Sequence, residues 1–259
     1  MKLASFRTPA GDQLGGEVRD GRVVAFDDGS TVRDRLASGD LAPAAGADFA
    51  LDDVELLAPH RPQVIFGIGL NYLAHTREQN AEPPEVPIVF LKLPSSAAAP
   101  GAPVRIPDVV RRADYEGELA VVMGADGQVA GYAVADDLTA RDLQRRESQW
   151  TRAKGFDGSC PFGPWVTTAD EVPDAEDLAL KTWVNGELRQ DSRTSDLIFK
   201  IPQLVAHLRE TCTLEPGDLI LTGTPSGVGV YMDPQRFLGS GDVIRIEIEA
   251  LGVIEHAVA

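Results

Sequence analysis

The feature that most constrains this chain is an acidic run that leads directly into an apolar stretch, Leu119–Met123, which the turn signal Ala125-Asp126-Gly127 closes. This pattern predicts a strand that enters a buried sheet. Because side chains alternate along a strand, we expect Asp114, Glu116 and Glu118 to project from one side of it. Three carboxylates on one face repel each other, and burying them costs free energy unless a cation compensates their charge.

Two interpretations of this acidic face are open. Closely placed carboxylate oxygens are natural ligands for Mg²⁺ or Mn²⁺, whereas the alternative is a solvated sheet edge with ordinary acidic residues. The segment after the turn favours the metal, because Val129–Val134 is predicted to pair with the first strand as a hairpin. A hairpin brings the end of its second strand beside the start of the first, so Asp136 or Asp137 should lie near Glu116 and Glu118.

Composition limits the possible partners. The 259 residues are 43% hydrophobic and 25% charged, which is enough for a sizeable core in one large domain, or in one domain with a small module. The net charge of −16 argues against nucleic acid and anionic membranes as partners. No apolar run has the length of a membrane span or of a signal-peptide core, so we expect a cytoplasmic protein.

Residues 1–60 are predicted to form a small module that contains β-strands. Residues 14–26 read as a hairpin around Asp20-Gly21, and a short helix should begin after Thr31 and end at Gly39. Nothing in this module suggests chemistry. Residues 61–259 then form the second predicted domain, and all candidate functional residues lie there.

A possible acid–base pair follows a buried strand at Val64–Gly69. His75 and Glu78 are three residues apart, so on a helical turn the carboxylate can orient the imidazole, and such a pair can act as a general base for water. Pro83 and Pro84 prevent a long helix, so this segment is a candidate mobile lid. The alternative is a surface histidine with a chance acidic neighbour.

Two later segments are candidates for ligand contacts. Residues 150–166 are rich in glycine, proline and aromatic residues, which predicts an ordered loop packed against a pocket, with Lys154 as its prominent cation and Cys160 packed inside. The alternative for Lys154 is an exposed side chain on a tightly packed loop. Farther along, Gly223–Gly229 follows a strand and offers amides and hydroxyls to an anion, although it lacks the residues of a P-loop.

Other ionisable residues receive no role from their sequence context. We interpret His60 as a solvated loop residue and His256 as incidental. Lys92 ends the predicted strand Ile88–Lys92 and could meet an anionic ligand, but a solvated lysine is the commoner case. His207 is interpreted as a surface residue of a helix predicted from the spacing of apolar residues after Ile201.

Five segments, taken in order, resemble motifs of the fumarylacetoacetate hydrolase family, in its bacterial acylpyruvase and 2-hydroxyhepta-2,4-diene-1,7-dioate isomerase-like branch. The similarity covers residues 61–259. The segments are Gly69-Leu70-Asn71-Tyr72 with His75 and Glu78; Asp114-Tyr115-Glu116-Gly117-Glu118-Leu119; Gly131-Tyr132 through Asp137 with Ala140-Arg141-Asp142-Leu143-Gln144; Lys154 with Phe156-Asp157 and Gly163-Pro164-Trp165; and Leu221 through Gly229.

The resemblance implies a role for particular residues. It implies that Mg²⁺ or Mn²⁺ is bound by Glu116, Glu118 and Asp137, and that His75 and Glu78 form a water-activating dyad. It also implies substrate or oxyanion contacts, which would come from Lys154, Gln144, Thr224, Gly223 and Arg141. Family members often have Asn where this chain has Asp136, so it is open which Asp binds the metal; the strand register favours Asp137.

The resemblance further implies an α+β, strand-rich fold, a mixed β-sandwich roll, and a homodimer. The expected activity is metal-dependent hydrolysis of a C–C bond in an acylpyruvate or related 1,3-dicarbonyl 2-oxo acid, through a metal-stabilised enolate. The same site supports isomerisation of a 2-hydroxy-dienoate or decarboxylation of oxaloacetate. A non-catalytic metal-binding or ligand-binding protein is a further alternative, which the presence of both His75 and Glu78 disfavours.

Overall fold

The computed structural model describes residues 1–259, which form eighteen β-strands and five α-helices. The strands are β1 (Lys2–Arg7), β2 (Gln13–Arg19), β3 (Arg22–Ala25), β4 (Asp48–Ala50), β5 (Glu55–Leu56), β6 (Ile65–Gly69), β7 (Ile88–Lys92), β8 (Ala97–Ala98), β9 (Ala113–Asp114), β10 (Gly117–Met123), β11 (Val129–Asp136), β12 (Thr139–Ala140), β13 (Cys160–Thr168), β14 (Ala179–Val184), β15 (Glu187–Arg193), β16 (Leu219–Leu221), β17 (Val243–Ile248) and β18 (Gly252–Ala257). The helices are α1 (Val32–Ser38), α2 (Leu73–Glu78), α3 (Arg141–Arg146), α4 (Thr151–Lys154) and α5 (Ile201–Arg209). No helix combines the length and the apolar character needed to cross a membrane.

Twelve strands form one mixed sheet with the main order β4-β3-β2-β1-β13-β11-β10-β16-β6-β7. A second sheet of four strands, β15-β14-β17-β18, packs on it. The largest core cluster, of 23 buried residues, joins the inner faces of the two sheets to helix α5. Because two sheets enclose a shared core and helices are few, the predicted strand-rich α+β sandwich is confirmed.

The central hairpin of β10 and β11 forms as the sequence predicts. Every residue of β10 is buried, in keeping with its position between β11 and β16. Gly117 pairs with Asp136, and beyond the last ladder pair the N–H of Asp137 donates to the carbonyl of Glu116 at 2.9 Å. The hairpin therefore brings both ends of the acidic sequence pattern together.

The predicted continuous strand from Asp114 to Met123 is wrong in one respect. Asp114 belongs to β9, which pairs with β12 in a separate two-stranded sheet, and the chain leaves strand geometry before β10 begins. The Asp114 carboxylate accepts hydrogen bonds from the main-chain N–H groups of Tyr115, Gly229 and Val230. These bonds hold the chain against the loop after β16 and separate Asp114 from the other two acids.

The N-terminal elements extend the large sheet. The hairpin of β2 and β3 turns at Asp20 and Gly21, whose φ values are both positive. Helix α1 has Thr31 as its N-cap and Gly39 as its C-cap, as predicted. Strand β1 pairs with β13, so the sheet runs from the N-terminal strands into the rest of the molecule. The domain boundary at residue 60 stays a prediction.

The predicted loop at residues 150–166 is partly wrong, because it contains helix α4 and the first part of β13, a central strand of the large sheet. Two prolines, Pro161 and Pro164, obscure the strand pattern, since proline cannot donate a hydrogen bond to a neighbouring strand. The sheet accommodates them with a register shift between Tyr132 and Val134 of β11. Cys160 is fully buried in β13, which confirms that it is a packed residue.

The interpretation of His60 as a solvated residue is wrong. Its ring is buried, lies edge-on to Phe162 at a centroid distance of 5.5 Å, and has Nε2 2.7 Å from the carbonyl oxygen of Gly217. Burial lowers the pKa of His60 to about 4, because the charged imidazolium would lose its hydration. The neutral ring is therefore the form that the fold accommodates.

This burial predicts a pH-dependent stability. As pH falls from 6.5 toward 4, the unfolded chain binds a proton at His60 before the folded chain does, so this group alone should reduce the free energy of unfolding by about 3 kcal/mol. Urea unfolding at pH 7 and pH 4.5 measures the effect. The His60→Gln variant should lose about 2 to 3 kcal/mol less than the wild type over this interval.

The matched control is His207→Gln, since His207 lies on helix α5 and is only half-buried. This control should follow the wild-type pH dependence. An equal loss of stability in the wild type and in His60→Gln would contradict the assignment of the effect to His60.

Candidate active site

Three buried carboxylates form a compact group at the open end of the central hairpin. One ligand oxygen each of Glu116, Glu118 and Asp137 lies within 4.8 Å of the others. Glu118 is the second residue of β10, Glu116 comes immediately before this strand, and Asp137 comes immediately after β11. The structure thus brings together the three residues that the sequence proposed as metal ligands.

Asp136 faces away from this group. Its Oδ1 accepts the N–H of Glu116 at 2.9 Å, and its Oδ2 lies 3.0 Å from Nε2 of His256. Asp136 therefore fixes the main chain at Glu116, while Asp137 supplies the third carboxylate. The interpretation of His256 as incidental is wrong, because its ring is fully buried on β18. The alternation of buried residues along β18, with Ile254 and His256 both inward, is the signal that could have found it.

Two lysines neutralise part of the group. Lys154, at the end of α4, donates from Nζ to Glu116 and, at 2.6 Å, to Oδ2 of Asp137. Lys92, at the end of β7, donates to Oδ1 of Asp137 at 2.7 Å and to the carbonyl of Ser159 at 2.9 Å. Both lysines are buried, so the solvated interpretation of Lys92 and the exposed alternative for Lys154 are wrong.

Arg141 joins this group to Asp114. Its Nε lies 2.8 Å from Oδ2 of Asp114, its Nη2 lies 2.6 Å from Oε1 of Glu116, and its Nη1 donates to Oε1 of Gln144 at 3.1 Å. Arg141 is the first residue of helix α3 and is buried. It therefore holds Glu116 from the side opposite Lys154.

The balance of charge shows whether these residues fit a divalent metal. Three buried cations face five buried carboxylates; the cations are Lys92, Arg141 and Lys154, and the carboxylates are Asp114, Glu116, Glu118, Asp136 and Asp137. The carboxylates outnumber these three cations by two, and one divalent ion carries the charge that compensates this difference. The donor atoms are all hard carboxylate oxygens, as Mg²⁺ and Mn²⁺ prefer. The residues therefore fit such an ion.

Glu118 carries most of the uncompensated charge. Its only hydrogen-bond donor is the main-chain N–H of Gly223, at 2.7 Å. Burial and the negative charges of Asp137 and Glu116 raise the pKa of Glu118 well above its usual value. Burial also disfavours the charged form of Glu116, but Lys154 and Arg141 outweigh it and hold its pKa below the usual value. Glu118 is thus the carboxylate that gains most from a bound cation.

The predicted acid–base pair is formed on the short helix α2. Nδ1 of His75 lies 2.5 Å from Oε1 of Glu78, and the other oxygen of Glu78 accepts the N–H of Gly227 at 3.0 Å. Glu78 thereby ties the imidazole to the glycine-rich loop. The ring of His75 is buried, so the alternative of a surface histidine does not describe this structure. With Nδ1–H donating to Glu78, Nε2 is the ring nitrogen that carries the lone pair.

A cavity of about 240 Å³ opens beside the carboxylates and the imidazole. Seven of the residues proposed from the sequence line it, namely His75, Glu116, Glu118, Arg141, Gln144, Lys154 and Thr224. Glu78, Asp137 and Gly223 lie behind this wall and contact residues within it. The structure therefore gathers all ten proposed residues around one cavity, and their individual roles stay predictions.

The sequence suggested that the amides and hydroxyls of the glycine-rich loop contact an anion. In the structure, Gly223 and Thr224 of this loop instead form hydrogen bonds within the protein. Gly223 gives its N–H to Glu118, and a Cβ there would lie 2.9 Å from the Cβ of Asn71, so the close approach requires glycine. The hydroxyl of Thr224 donates to the carbonyl of Gly117 at 3.0 Å and accepts from Gln190 at 2.7 Å. These bonds position the loop beside the carboxylates.

Sequence reasoning missed several residues of the wall. Gln79 places its amide nitrogen 2.6 Å from Nε2 of His75, and so caps the nitrogen that would accept a proton. The other missed residues are Ile68, Phe90, Arg145, Trp150, Val230 and Tyr231. Arg145 could have been found, since it lies four residues after Arg141 on the same helix. No local signal marks the aromatic residues, because distant segments bring them to the wall.

Comparison with known proteins supports membership of the family that the sequence motifs resemble. A family model described as "Fumarylacetoacetate (FAA) hydrolase C-terminal" matches residues 64–259. The human protein named oxaloacetate tautomerase FAHD2A, mitochondrial, is 40% identical to this chain, over 100% of the chain and 91% of the human protein.

Solved structures of similar proteins match the fold of this chain along its whole length. A fumarylacetoacetate hydrolase from psychrophilic Exiguobacterium antarcticum is 33% identical, with a TM-score of 0.91, and the match covers 100% of this chain and 99% of that one. A maleylpyruvate hydrolase from Sphingobium sp. SYK-6, solved with manganese(II) and pyruvate, is 31% identical, with a TM-score of 0.81 and the same coverage. This chain belongs to the fumarylacetoacetate hydrolase family.

Proposed function

We propose that this protein is a divalent-metal-dependent enzyme that interconverts the keto and enol forms of a short 2-oxo acid of the oxaloacetate type. The observation that carries the proposal is the position of His75 in the wall of the cavity that also exposes Glu116 and Glu118. Enolisation requires a base that removes a proton from the carbon next to the 2-oxo group. It also requires positive charge beside the oxygen on which negative charge develops.

Different residues of this chain can supply the base and hold the positive charge. Nε2 of His75 accepts the proton from the carbon and gives it to the oxygen of the enolate, or the reverse in ketonisation, while Glu78 stabilises the imidazolium that exists between the two transfers. Gln79 must release Nε2 before the transfer, since its amide occupies that nitrogen in this structure. A Mg²⁺ or Mn²⁺ ion held by Glu116, Glu118 and Asp137 supplies the positive charge that favours the enolate.

The remaining wall residues can hold the substrate. Lys154 and Gln144 present nitrogen donors toward the cavity, which suits the oxygens of a carboxylate or an enol. The volume of about 240 Å³ favours a small acid over one with a long acyl chain. The similarity to the human protein named oxaloacetate tautomerase, along the full length of this chain, supports the same substrate class.

A second candidate is the hydrolysis of a C–C bond in an acylpyruvate, the activity expected from the sequence. It uses the same dyad, with His75 activating a water that attacks the distal carbonyl. The structural neighbour named maleylpyruvate hydrolase, which holds manganese(II) and pyruvate, supports this candidate. A homodimer and a cytoplasmic location stay predictions.

Removal of one carboxylate should separate metal binding from fold stability. In Glu118→Gln the uncharged amide can still accept the N–H of Gly223, while the repulsion with Glu116 and Asp137 disappears. We expect the metal-free variant to be more stable than the metal-free wild type by about 1 to 2 kcal/mol. We expect its affinity for Mn²⁺ to fall at least tenfold.

Calorimetric titration with Mn²⁺ and urea unfolding in EDTA measure the two effects. The matched control is Asp12→Asn, which removes an exposed carboxylate outside the site and should change neither quantity. Unchanged Mn²⁺ affinity in Glu118→Gln would remove this residue from the metal site.

The dyad predicts the behaviour of a His75→Ala variant. Without the imidazole, kcat for conversion of enol-oxaloacetate to the keto form should fall about 10²- to 10⁴-fold, because general base catalysis is lost. The affinity for Mn²⁺ should stay within about twofold of the wild type, since His75 is not among the three carboxylates. Loss of the enol absorbance measures the rate, and His207→Ala is the control variant. Full activity in His75→Ala would exclude the proposed base.

Two substrates distinguish the candidate functions. The wild-type protein with Mg²⁺ is incubated with enol-oxaloacetate and, separately, with acetylpyruvate, and both enol loss and pyruvate release are followed. A tautomerase should accelerate ketonisation of oxaloacetate without releasing pyruvate, and EDTA should abolish the acceleration. Metal-dependent release of pyruvate from acetylpyruvate, without faster ketonisation of oxaloacetate, would instead favour the hydrolase.

A further inference from the structure

We infer that Arg145 binds the distal carboxylate of the substrate and makes this cavity selective for short dicarboxylic acids. The inference rests on the proposed function, which supplies the 2-oxo acid end of the substrate. The inference adds Arg145 as the residue that recognises the other end of the substrate. This residue would restrict the substrate class to dicarboxylic acids.

Arg145 is the arginine of the cavity wall whose charge is not paired with a carboxylate. Arg141 is paired with Asp114 and Glu116, and Lys154 is paired with Glu116 and Asp137. Arg145 lines the same cavity but forms no salt bridge and no side-chain hydrogen bond in this structure, and it is exposed. An anion that enters the cavity therefore meets Arg145 as a guanidinium free to bind it.

Helix α3 sets the position of this guanidinium. Arg141 and Arg145 are four residues apart, so they lie on one face of the helix about 6 Å apart along its axis, slightly more than one helical turn. Arg141 is buried against the carboxylates, and Arg145 is exposed, so the second arginine lies farther out along the cavity. A short substrate whose 2-oxo end reaches the carboxylate group thus extends its other end toward Arg145.

The surroundings favour a carboxylate at that end. The other wall residues include Ile68, Phe90, Trp150 and Val230, which offer no charge to an anion. A guanidinium matches a carboxylate with two parallel hydrogen bonds, which a methyl or ester group cannot form. Because the whole chain carries a net charge of −16, attraction of a dianion must come from local cations of this kind.

The neighbouring residue provides a matched control. Arg146 is also exposed and lies on the same helix, but it does not line the cavity and its Nη2 lies 3.5 Å from Glu147. Arg146→Gln therefore removes the same charge from nearly the same place without changing the cavity wall.

The experiment compares two stable probes that differ only at the distal end, malate and 2-hydroxybutyrate. Each is titrated into the Mg²⁺-loaded protein, and binding is followed by tryptophan fluorescence, since Trp150 lies in the wall. The wild type should bind malate more tightly than 2-hydroxybutyrate. Arg145→Gln should reduce that preference about tenfold or more, with the affinity for 2-hydroxybutyrate nearly unchanged, while Arg146→Gln should keep the wild-type preference.

Arg145→Lys should keep part of the preference, because it keeps the charge and loses the paired hydrogen bonds. Melting temperatures near the wild-type value confirm that the variants are folded. The inference is overturned if the wild type shows no preference for malate, if Arg145→Gln keeps it, or if both probes weaken equally. Failure of the proposed function is a different result, namely no acceleration of oxaloacetate ketonisation by the wild type.

Discussion

The burial of like charges at the open end of one hairpin is the constraint on which the rest of this structure depends. Glu116, Glu118 and Asp137 converge where β10 and β11 meet, and they cannot separate without breaking the hairpin. Partial compensation comes from cations on three other elements: Lys92 on β7, Arg141 on α3 and Lys154 on α4. These ion pairs connect helices α3 and α4 and the end of β7 to the carboxylates at the base of the cavity.

The proposed proton-transfer group, His75, is held in a different way from the carboxylates. Glu116, Glu118 and Asp137 are fixed by the strands, whereas His75 lies on a helix of six residues between β6 and a proline-rich segment. Asn71 anchors the start of this segment, because its side chain donates to the carbonyl of Thr222 and accepts the N–H of Phe199. At the other end, Glu78 binds the N–H of Gly227. The proposed base can therefore adjust relative to a rigid cluster of charges, as the release of Gln79 from His75 in the proposed function requires.

The parts of this site that sequence could predict are those specified by nearby residues. The hairpin follows from alternation, an apolar run and a turn signal, and once it forms, Glu116, Glu118 and Asp137 must meet. The burial of Lys92 could not be predicted, because its partner Asp137 is 45 residues away in the chain. The alternation along β18 marks His256 as inward, but it does not reveal the partner Asp136, which is 120 residues away. Whether a lysine or histidine is buried depends on such distant partners. Strand β13 was missed for another reason, since Pro161 and Pro164 conceal a central strand whose irregular register tolerates them.

The base of the cavity and its outer wall differ in how their side chains are paired, and this difference bears on function. Relatives of this chain carry names of both a tautomerase and hydrolases, and both kinds of reaction can pass through an enolate of a 2-oxo acid. The charges that we propose to stabilise an enolate lie at the base of the cavity, where Lys92, Arg141 and Lys154 are each paired with a carboxylate. The wall toward solvent has no such network, and Arg145 there has no partner within the protein. If the proposed function holds, substitutions in the outer wall should change which acid fits without disturbing the buried charges, so that substrate choice and enolate stabilisation vary independently.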